Sequence, residues 1–96
     1  MSKITIVAKI KIKKEFTQDV YPLLVNLHKT THNNDFGCIQ YDLHKDLNDE
    51  NCFTFIETWE NSQFLDIHMK KEHFQVFIKN TKNKLENLEI TKLEKI

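Results

Sequence analysis

The sequence predicts an α+β fold with the element order β-α-β-β-α-β. Three observations favour it: an alternating apolar segment near the N-terminus, two stretches with helical spacing, and two further alternating segments joined by a polar turn. The chain has 96 residues, which is the size of one domain, so we expect a single domain over residues 1–96.

A change in apolar period separates the first strand from the first helix. From Ile4 to Ile12 the apolar residues recur at every second position, which indicates a strand with one apolar face. Over residues 17–32 they follow the three-and-four spacing of an amphipathic helix. Pro22 costs little only near a first turn, so we expect this helix to begin between Thr17 and Asp19.

The next two strands are predicted to form a hairpin. Gly37, the only glycine, ends the helix, and strands over residues 38–45 and 52–60 flank a polar turn. Alternation in the second strand places three apolar side chains on one face: Ile39, Tyr41 and Leu43. Alternation in the third strand likewise places four residues on one face: Phe53, Phe55, Glu57 and Trp59.

Helical spacing returns in the last third of the chain. Asn61 or Ser62 can cap a short helix that contains His68, and a second helix is predicted over residues 72–85. The tail, residues 87–96, alternates loosely and is predicted as a fourth strand. This order is that of a ferredoxin-like fold, a four-stranded antiparallel sheet with helices on one face.

The aromatic residues of the third strand suggest a partner subunit. If the sheet face opposite the helices carries Phe53, Phe55 and Trp59, a bare monomer exposes an apolar patch of roughly several hundred Å². A chain of this length buries only about 60–65% of its unfolded surface, so association would stabilise it. We therefore expect a homodimer in which a second copy covers this face.

Composition limits the function classes. Fourteen Lys balance 14 Asp and Glu, and Arg is absent, so nucleic acid and bidentate phosphate recognition are disfavoured. The N-terminus does not resemble a signal peptide, and no apolar run approaches the roughly 20 residues of a membrane span. We expect a cytoplasmic protein without a membrane partner, in which Cys38 and Cys52 are reduced packing residues.

Two groups of polar residues are candidates for chemistry. Glu57 shares a mostly aromatic strand face with Trp59, so burial would raise its pKa unless a cation pairs with it. His68 and His73 are candidate proton carriers. Two residues five positions apart would not share a face of a continuous helix, but the predicted break near Lys70 and Lys71 makes their relative placement depend on the loop. His28 and His32 have i, i+4 spacing but no evident third ligand. His28 lies near the apolar border of the helix and His32 at its end, so we interpret neither as a metal ligand and predict no metal site.

Three segments, GCIQYDLHKD, FTFIETWEN and FLDIHMKKEHFQVF, together resemble the antibiotic biosynthesis monooxygenase family over nearly the whole chain. The resemblance implies a dimeric α/β barrel of two ferredoxin-like subunits, with a small-molecule pocket between sheet and helices in each. It implies no metal or flavin cofactor. The haem-degrading branch of the family uses an Asn on strand one, which ITIVAKIKI lacks, so haem chemistry is disfavoured.

The resemblance also implies roles for individual residues. His68, or else His73, would be the base, Glu57 would orient it, and Tyr41 would donate to an oxyanion. The substrate wall would comprise three aromatic residues: Trp59, Phe53 and Phe55. The implied activity is cofactor-independent oxidation of a quinol or phenol by O₂. A phosphorylated-sugar isomerase and a non-catalytic dimeric binding protein remain as alternatives, because fold likeness does not choose among them.

Overall fold

The structure is a computed structural model that describes residues 3–96. In chain order its elements are β1 (Ile4–Ile12), a 3₁₀ turn (Lys14–Phe16), α1 (Thr17–Asn34), β2 (Cys38–Lys45), β3 (Cys52–Trp59), α2 (Ser62–Lys70), α3 (Glu72–Thr81) and β4 (Leu85–Glu94). The strands form one antiparallel sheet in the order β2-β3-β1-β4. The predicted ferredoxin-like α+β fold is confirmed, with its second helical region divided into α2 and α3.

The boundaries between α3 and β4 differ most from the prediction. α3 ends at Thr81, where the side-chain hydroxyl donates to the Phe77 carbonyl, and the chain turns through Asn83 at φ 66°. β4 therefore starts at Leu85, two residues earlier than expected, and pairs with Ile12 across an irregularity in β1. α1 begins at Thr17, within the predicted range and directly after the 3₁₀ turn. Pro22 therefore lies in the second turn of this helix.

The prediction of which sheet face carries the aromatic residues is wrong. Phe53, Phe55 and Trp59 are at most 6% exposed in the single chain, because α1, α2 and α3 cover that face. They pack with the inward residues of β1, such as Ile10, which lies opposite Phe53. The apolar face of β3 thus forms the core of one subunit, and burying it requires no partner.

In β2, the side chain of Ile39 does not lie on the same face as Tyr41, although strict alternation predicted that it would. Cys38 lies opposite Trp59 but Gln40 lies opposite Thr58, so Ile39 is an extra residue at a bulge. Ile39 is consequently 47% exposed, whereas Tyr41, two residues on, is buried under the helices. The bulge shifts the side-chain register by one, which a period-two pattern does not include.

Gly37 determines how closely α2 approaches the start of β2. Its φ is +77°, and a Cβ built there would lie 2.2 Å from Cγ of Phe64 on α2. Both the backbone conformation and the contact therefore require glycine. The Gly37 carbonyl also accepts the Glu60 N–H at 2.9 Å, which fixes the end of β3 beside the same turn. The end of α1, the start of β2 and α2 are thereby held together.

None of the helices within residues 3–96 is long and apolar enough to cross a membrane.

Candidate active site

A buried carboxylate–imidazole contact joins the end of α1 to α2. Asp35 follows the last residue of α1, and its N–H donates to the Thr31 carbonyl at 3.1 Å. Its side chain is 2% exposed, and Oδ2 lies 2.5 Å from Nδ1 of His68, whose side chain is also 2% exposed. Buried charges are stabilised only by such pairing, so this contact is the main polar link between the two helices.

The contact determines which nitrogen of His68 carries the proton. A carboxylate accepts hydrogen bonds, so we assign the proton of neutral His68 to Nδ1, which leaves Nε2 as an acceptor. Burial lowers the pKa of His68, and this outweighs the opposite influence of Asp35. The imidazole is therefore neutral near pH 7, with one nitrogen free to accept a proton.

Aromatic side chains surround the His68 ring. The ring centroids of Trp59 and Phe74 lie 4.7 and 5.0 Å from it, and Tyr41 contacts it edge-on at 5.5 Å. These contacts exclude water from the imidazole, which is the physical cause of its lowered pKa. They also fix the plane of the ring, so Asp35 and the aromatic residues together set its orientation.

His73 contacts the other oxygen of the same carboxylate. α2 ends at Lys70, and the extended backbone of Lys71 breaks the helix before α3, so His73 returns toward Asp35. Its Nε2 lies 3.1 Å from Oδ1 of Asp35 without the alignment of a hydrogen bond. His73 is 17% exposed and borders a groove between α1 and α3 rather than the sheet.

Glu57 and Trp59 form a hydrogen-bonded pair on β3. Nε1 of Trp59 donates to Oε1 of Glu57 at 2.9 Å, as their shared strand face allows. Burial raises the pKa of Glu57 to about 7, although the hydrogen bond from Trp59 acts in the opposite direction. The expectation of a raised pKa is thus met, and Glu57 contacts Trp59 through this bond rather than pairing with a cation.

Tyr41 is the one candidate site residue that carries a hydroxyl group. It is 1% exposed, and its ring packs against Phe55 at 4.9 Å and against His28 at 6.4 Å. Burial, and then the charge of Glu57, raise the pKa of the Tyr41 hydroxyl well above its usual range. The phenol therefore keeps its proton and can act as a hydrogen-bond donor.

A cleft opens between the sheet and the helices α2 and α3. It encloses about 60 Å³ and is open to solvent at its mouth. Its wall is largely apolar and includes Ile6, Ala8, Ile10, Phe55, Leu65 and Phe77. Its lining also includes four polar residues, Tyr41, Glu57, His68 and Lys92, and the mouth lies beside Leu88 and Ile90 of β4.

The structure brings together four of the seven residues suggested by the sequence. Tyr41, Phe55, Glu57 and His68 line the cleft. The other three lie outside the lining. Trp59 is fully buried behind Glu57 and His68, His73 lies on the far side of Asp35, and Phe53 packs against Tyr21 at the opposite end of β3.

The residue that sequence analysis missed is Asp35. In the segment NNDFG it has the pattern of a helix end, and no spacing rule connects it to His68, 33 residues later. The one sequence signal that could have pointed to Asp35 was its place directly after the first helix and two residues before the only glycine.

The two cysteines, Cys38 and Cys52, are free and lie at opposite ends of the β2–β3 hairpin. Burial raises the pKa of Cys38 to about 11.

Comparison with known proteins adds family information. The model of the family described as antibiotic biosynthesis monooxygenase matches residues 3–80. The chain belongs to the antibiotic biosynthesis monooxygenase family. The resemblance found in the sequence is therefore confirmed, and the cleft described above lies in the part of the chain that the family model covers, apart from the β4 residues at its mouth.

Individual relatives are similar over nearly the whole chain, and one of them is named for this family. The crystal structure of PA3566 from Pseudomonas aeruginosa has a TM-score of 0.93 and 29% identity, covering 100% of this chain and 96% of that one. A crystal structure named antibiotic biosynthesis monooxygenase has a TM-score of 0.85 and 30% identity, covering 97% and 96%. The uncharacterized protein sll1783 of Synechocystis sp. is 27% identical over 93 residues, and the chain spans 63% of its length.

The raised pKa of Glu57 predicts a specific loss of stability with pH in this family member. Because the native pKa of about 7 exceeds the model-peptide value of 4.5, the folded state holds a proton that the unfolded chain releases. This contribution to stability is complete below about pH 4.5 and is lost as the pH rises through about 7. Glu57→Gln keeps the acceptor for Trp59 and removes this loss, which is about 2–3 kcal/mol.

Urea denaturation of wild type and Glu57→Gln from pH 4.5 to 8 measures the effect. The variant should gain about 2–3 kcal/mol relative to wild type across this interval. Glu60→Gln is the matched control, since Glu60 is exposed and directly follows the last residue of β3. This variant should follow the wild-type curve. Parallel curves for wild type and Glu57→Gln would contradict the raised pKa.

Proposed function

We propose that this protein is a cofactor-independent monooxygenase that oxidises a small quinol or electron-rich phenol with O₂. The observation that carries the proposal is the Asp35–His68 pair at the wall of an apolar cleft. Membership of the family supports the reaction class. A largely apolar cleft beside a neutral base supports the proposed substrate class.

His68 is the proposed general base. Asp35 holds the proton on Nδ1, so Nε2 can accept the phenolic proton, and the imidazolium that forms is stabilised by the adjacent carboxylate. His73 contacts Asp35 from outside the cleft, so its proposed part is to position that carboxylate. This replaces the sequence-based alternative in which His73 is the base.

The remaining chemistry belongs to the substrate. The phenolate transfers one electron to O₂, which gives a phenoxyl radical and superoxide, and their recombination forms a C–O bond. Cleavage of the O–O bond with loss of water then gives the hydroxyquinone, so that quinol plus O₂ gives hydroxyquinone plus H₂O. No further reductant is required, because the quinol supplies the electrons.

The other cleft residues would bind the substrate and stabilise its anion. Tyr41 keeps its proton and would donate to the developing oxyanion, and the largely apolar wall around Phe55 would exclude bulk water. Trp59 would act indirectly, by packing on His68 and holding Glu57. Glu57 is proposed as a hydrogen-bonding group of the cleft rather than as the partner that orients His68.

The alternatives receive less support. Among the described residues that line the cleft, Lys92 is the one cation, and it lies near the mouth. A single lysine provides few charge-assisted hydrogen bonds for the phosphate of a phosphorylated sugar. A non-catalytic binding protein would use the same cleft. It would not explain why the base is held in one tautomer beside it.

We also propose that two chains form a homodimer through β4. This edge strand is exposed on both faces, and Leu88, Ile90 and Leu93 are 43–52% exposed. Exposed apolar edge strands favour association. Because Leu88 and Ile90 border the cleft, a second copy at this strand would narrow its mouth.

The enzymatic proposal is tested by O₂ uptake. Metal-stripped protein is assayed with a panel of simple quinols and polyphenols, and uptake should exceed autoxidation of each substrate. His68→Gln should lower the rate about 10²–10⁴-fold, because general-base assistance is lost. Asp35→Asn should reproduce most of this loss, because an amide can donate to Nδ1 and move the proton to Nε2.

His32→Gln is the control, since His32 is exposed on α1 and away from the cleft. Thermal unfolding of each variant separates lost chemistry from lost folding. Uptake at the autoxidation rate across the panel, with all proteins folded, would contradict the monooxygenase proposal. Uptake that His68→Gln leaves intact would contradict the assignment of the base.

The dimer is tested by light scattering of the purified chain. We expect twice the 11.5 kDa of one chain, and a return to the monomer mass in the double variant Ile90→Asp/Leu93→Asp. Leu47→Asp is the control, because Leu47 is 90% exposed in the β2–β3 turn and lies away from β4. A monomer mass for the wild-type chain at micromolar concentration would contradict the proposed dimer.

A further inference from the structure

Asp35, His68 and His73 bring three metal-ligating groups to one buried place. One ligand atom from each lies within 4.8 Å of those from the other two. Oδ1 of Asp35 and Nε2 of His73 are buried, and neither has an aligned hydrogen-bond partner in the part of the chain that the structure describes. Because the Asp35 side chain is 2% exposed, an oxygen there without a hydrogen-bond partner lowers the stability of the folded state.

We propose that these three residues form a binding site for one divalent transition-metal ion of the Zn²⁺, Co²⁺ or Fe²⁺ class. Two imidazoles and one carboxylate are a donor set that holds such ions in proteins, whereas Mg²⁺ and Ca²⁺ prefer oxygen ligands throughout. An ion between Oδ1 and His73 Nε2 would satisfy both unpartnered atoms at once.

The separations agree with coordination after a small adjustment. With metal–ligand bonds of about 2.0–2.2 Å, neighbouring ligand atoms lie about 3.0–3.5 Å apart. The 3.1 Å between Asp35 Oδ1 and His73 Nε2 already has this value. The contact between Asp35 Oδ2 and His68 Nδ1 is 2.5 Å, so this pair would open by about 0.5–1 Å as the ion replaces the shared proton.

One ligand of the site borders a solvent-exposed groove on the side away from the cleft. His73 borders the groove between α1 and α3, together with Asn26 and Asn80, and its side chain is 17% exposed. Three protein ligands leave at least one coordination position for water from this groove. Ion binding is therefore sterically separate from occupation of the cleft by a substrate.

Ion binding would change the protonation of the proposed base. When a metal occupies Nδ1 of His68, the neutral imidazole carries its proton on Nε2, so it can no longer accept one from a cleft ligand. The bound ion would therefore inhibit proton abstraction. This consequence rests on the proposed function, whereas the ion site itself does not.

Calorimetric titration of tag-free, metal-stripped protein with Zn²⁺, and the visible absorption of Co²⁺, test the site. We expect one ion per chain, and at least about a tenfold weaker Kd in His73→Gln and in Asp35→Asn. The double variant His28→Gln/His32→Gln is the matched control, because its i, i+4 imidazoles on α1 offer a surface site. It should bind like wild type.

Absence of saturable binding would overturn the proposal, as would binding that is lost in the His28/His32 variant and kept in His73→Gln. His73→Gln keeps the test valid if Asp35→Asn fails to fold, because His73 is partly exposed. Where O₂ uptake is measurable, one equivalent of Zn²⁺ should suppress it along the binding isotherm. Binding without inhibition would support the ion site and contradict the base role of Nε2 instead.

Discussion

The contact between Asp35 and His68 is the constraint on which the site depends. A carboxylate whose side chain is 2% exposed costs several kcal/mol to bury unless a partner compensates for the lost water. Its partner comes from a different helix, so the end of α1 and the middle of α2 must meet. Gly37 permits this approach, since any larger residue would collide with Phe64 on α2. The aromatic residues around His68 then form a dry wall against an imidazole that is already oriented.

This arrangement links protonation at one place to properties at two others. The same carboxylate contacts His68 toward the cleft and His73 toward the groove between α1 and α3. Under the two proposals above, a proton or an ion at the centre of the cluster would determine the protonation state of Nε2 that a cleft ligand meets. Glu57 adds a second titrating group to the cleft lining, with its acceptor oxygen held by Trp59. Two of the four polar residues in the lining, Glu57 and His68, are thus each held by a hydrogen-bonding neighbour.

The sequence was sufficient for the order of elements, because apolar period and turn residues are local properties. The pairing of Glu57 with Trp59 followed from their parity on one strand. Which sheet face met the helices was not a local property, and the aromatic face was placed on the wrong side. The bulge at Ile39 was equally invisible, since an inserted residue changes the register without changing the composition.

The site was predictable only in part, for the same reason. The predicted helix break left the relative placement of His68 and His73 undetermined, and in the structure the break at Lys71 turns both toward one carboxylate. Asp35 lies 33 residues before His68, and no spacing rule extends over that distance. Helix-end carboxylates usually face solvent. The close packing of α2 against the turn at Gly37 instead buries the Asp35 carboxylate beside His68.

The central claim is that Asp35 holds His68 as a neutral imidazole with its proton on Nδ1. Nitrogen-15 NMR of histidine-labelled protein at pH 7 tests it most directly, because protonated and unprotonated ring nitrogens have well-separated chemical shifts. The account predicts a protonated Nδ1 and an unprotonated Nε2 for His68, with the reverse pattern in Asp35→Asn. An imidazolium at pH 7, or a proton on Nε2 in the wild-type protein, would contradict it.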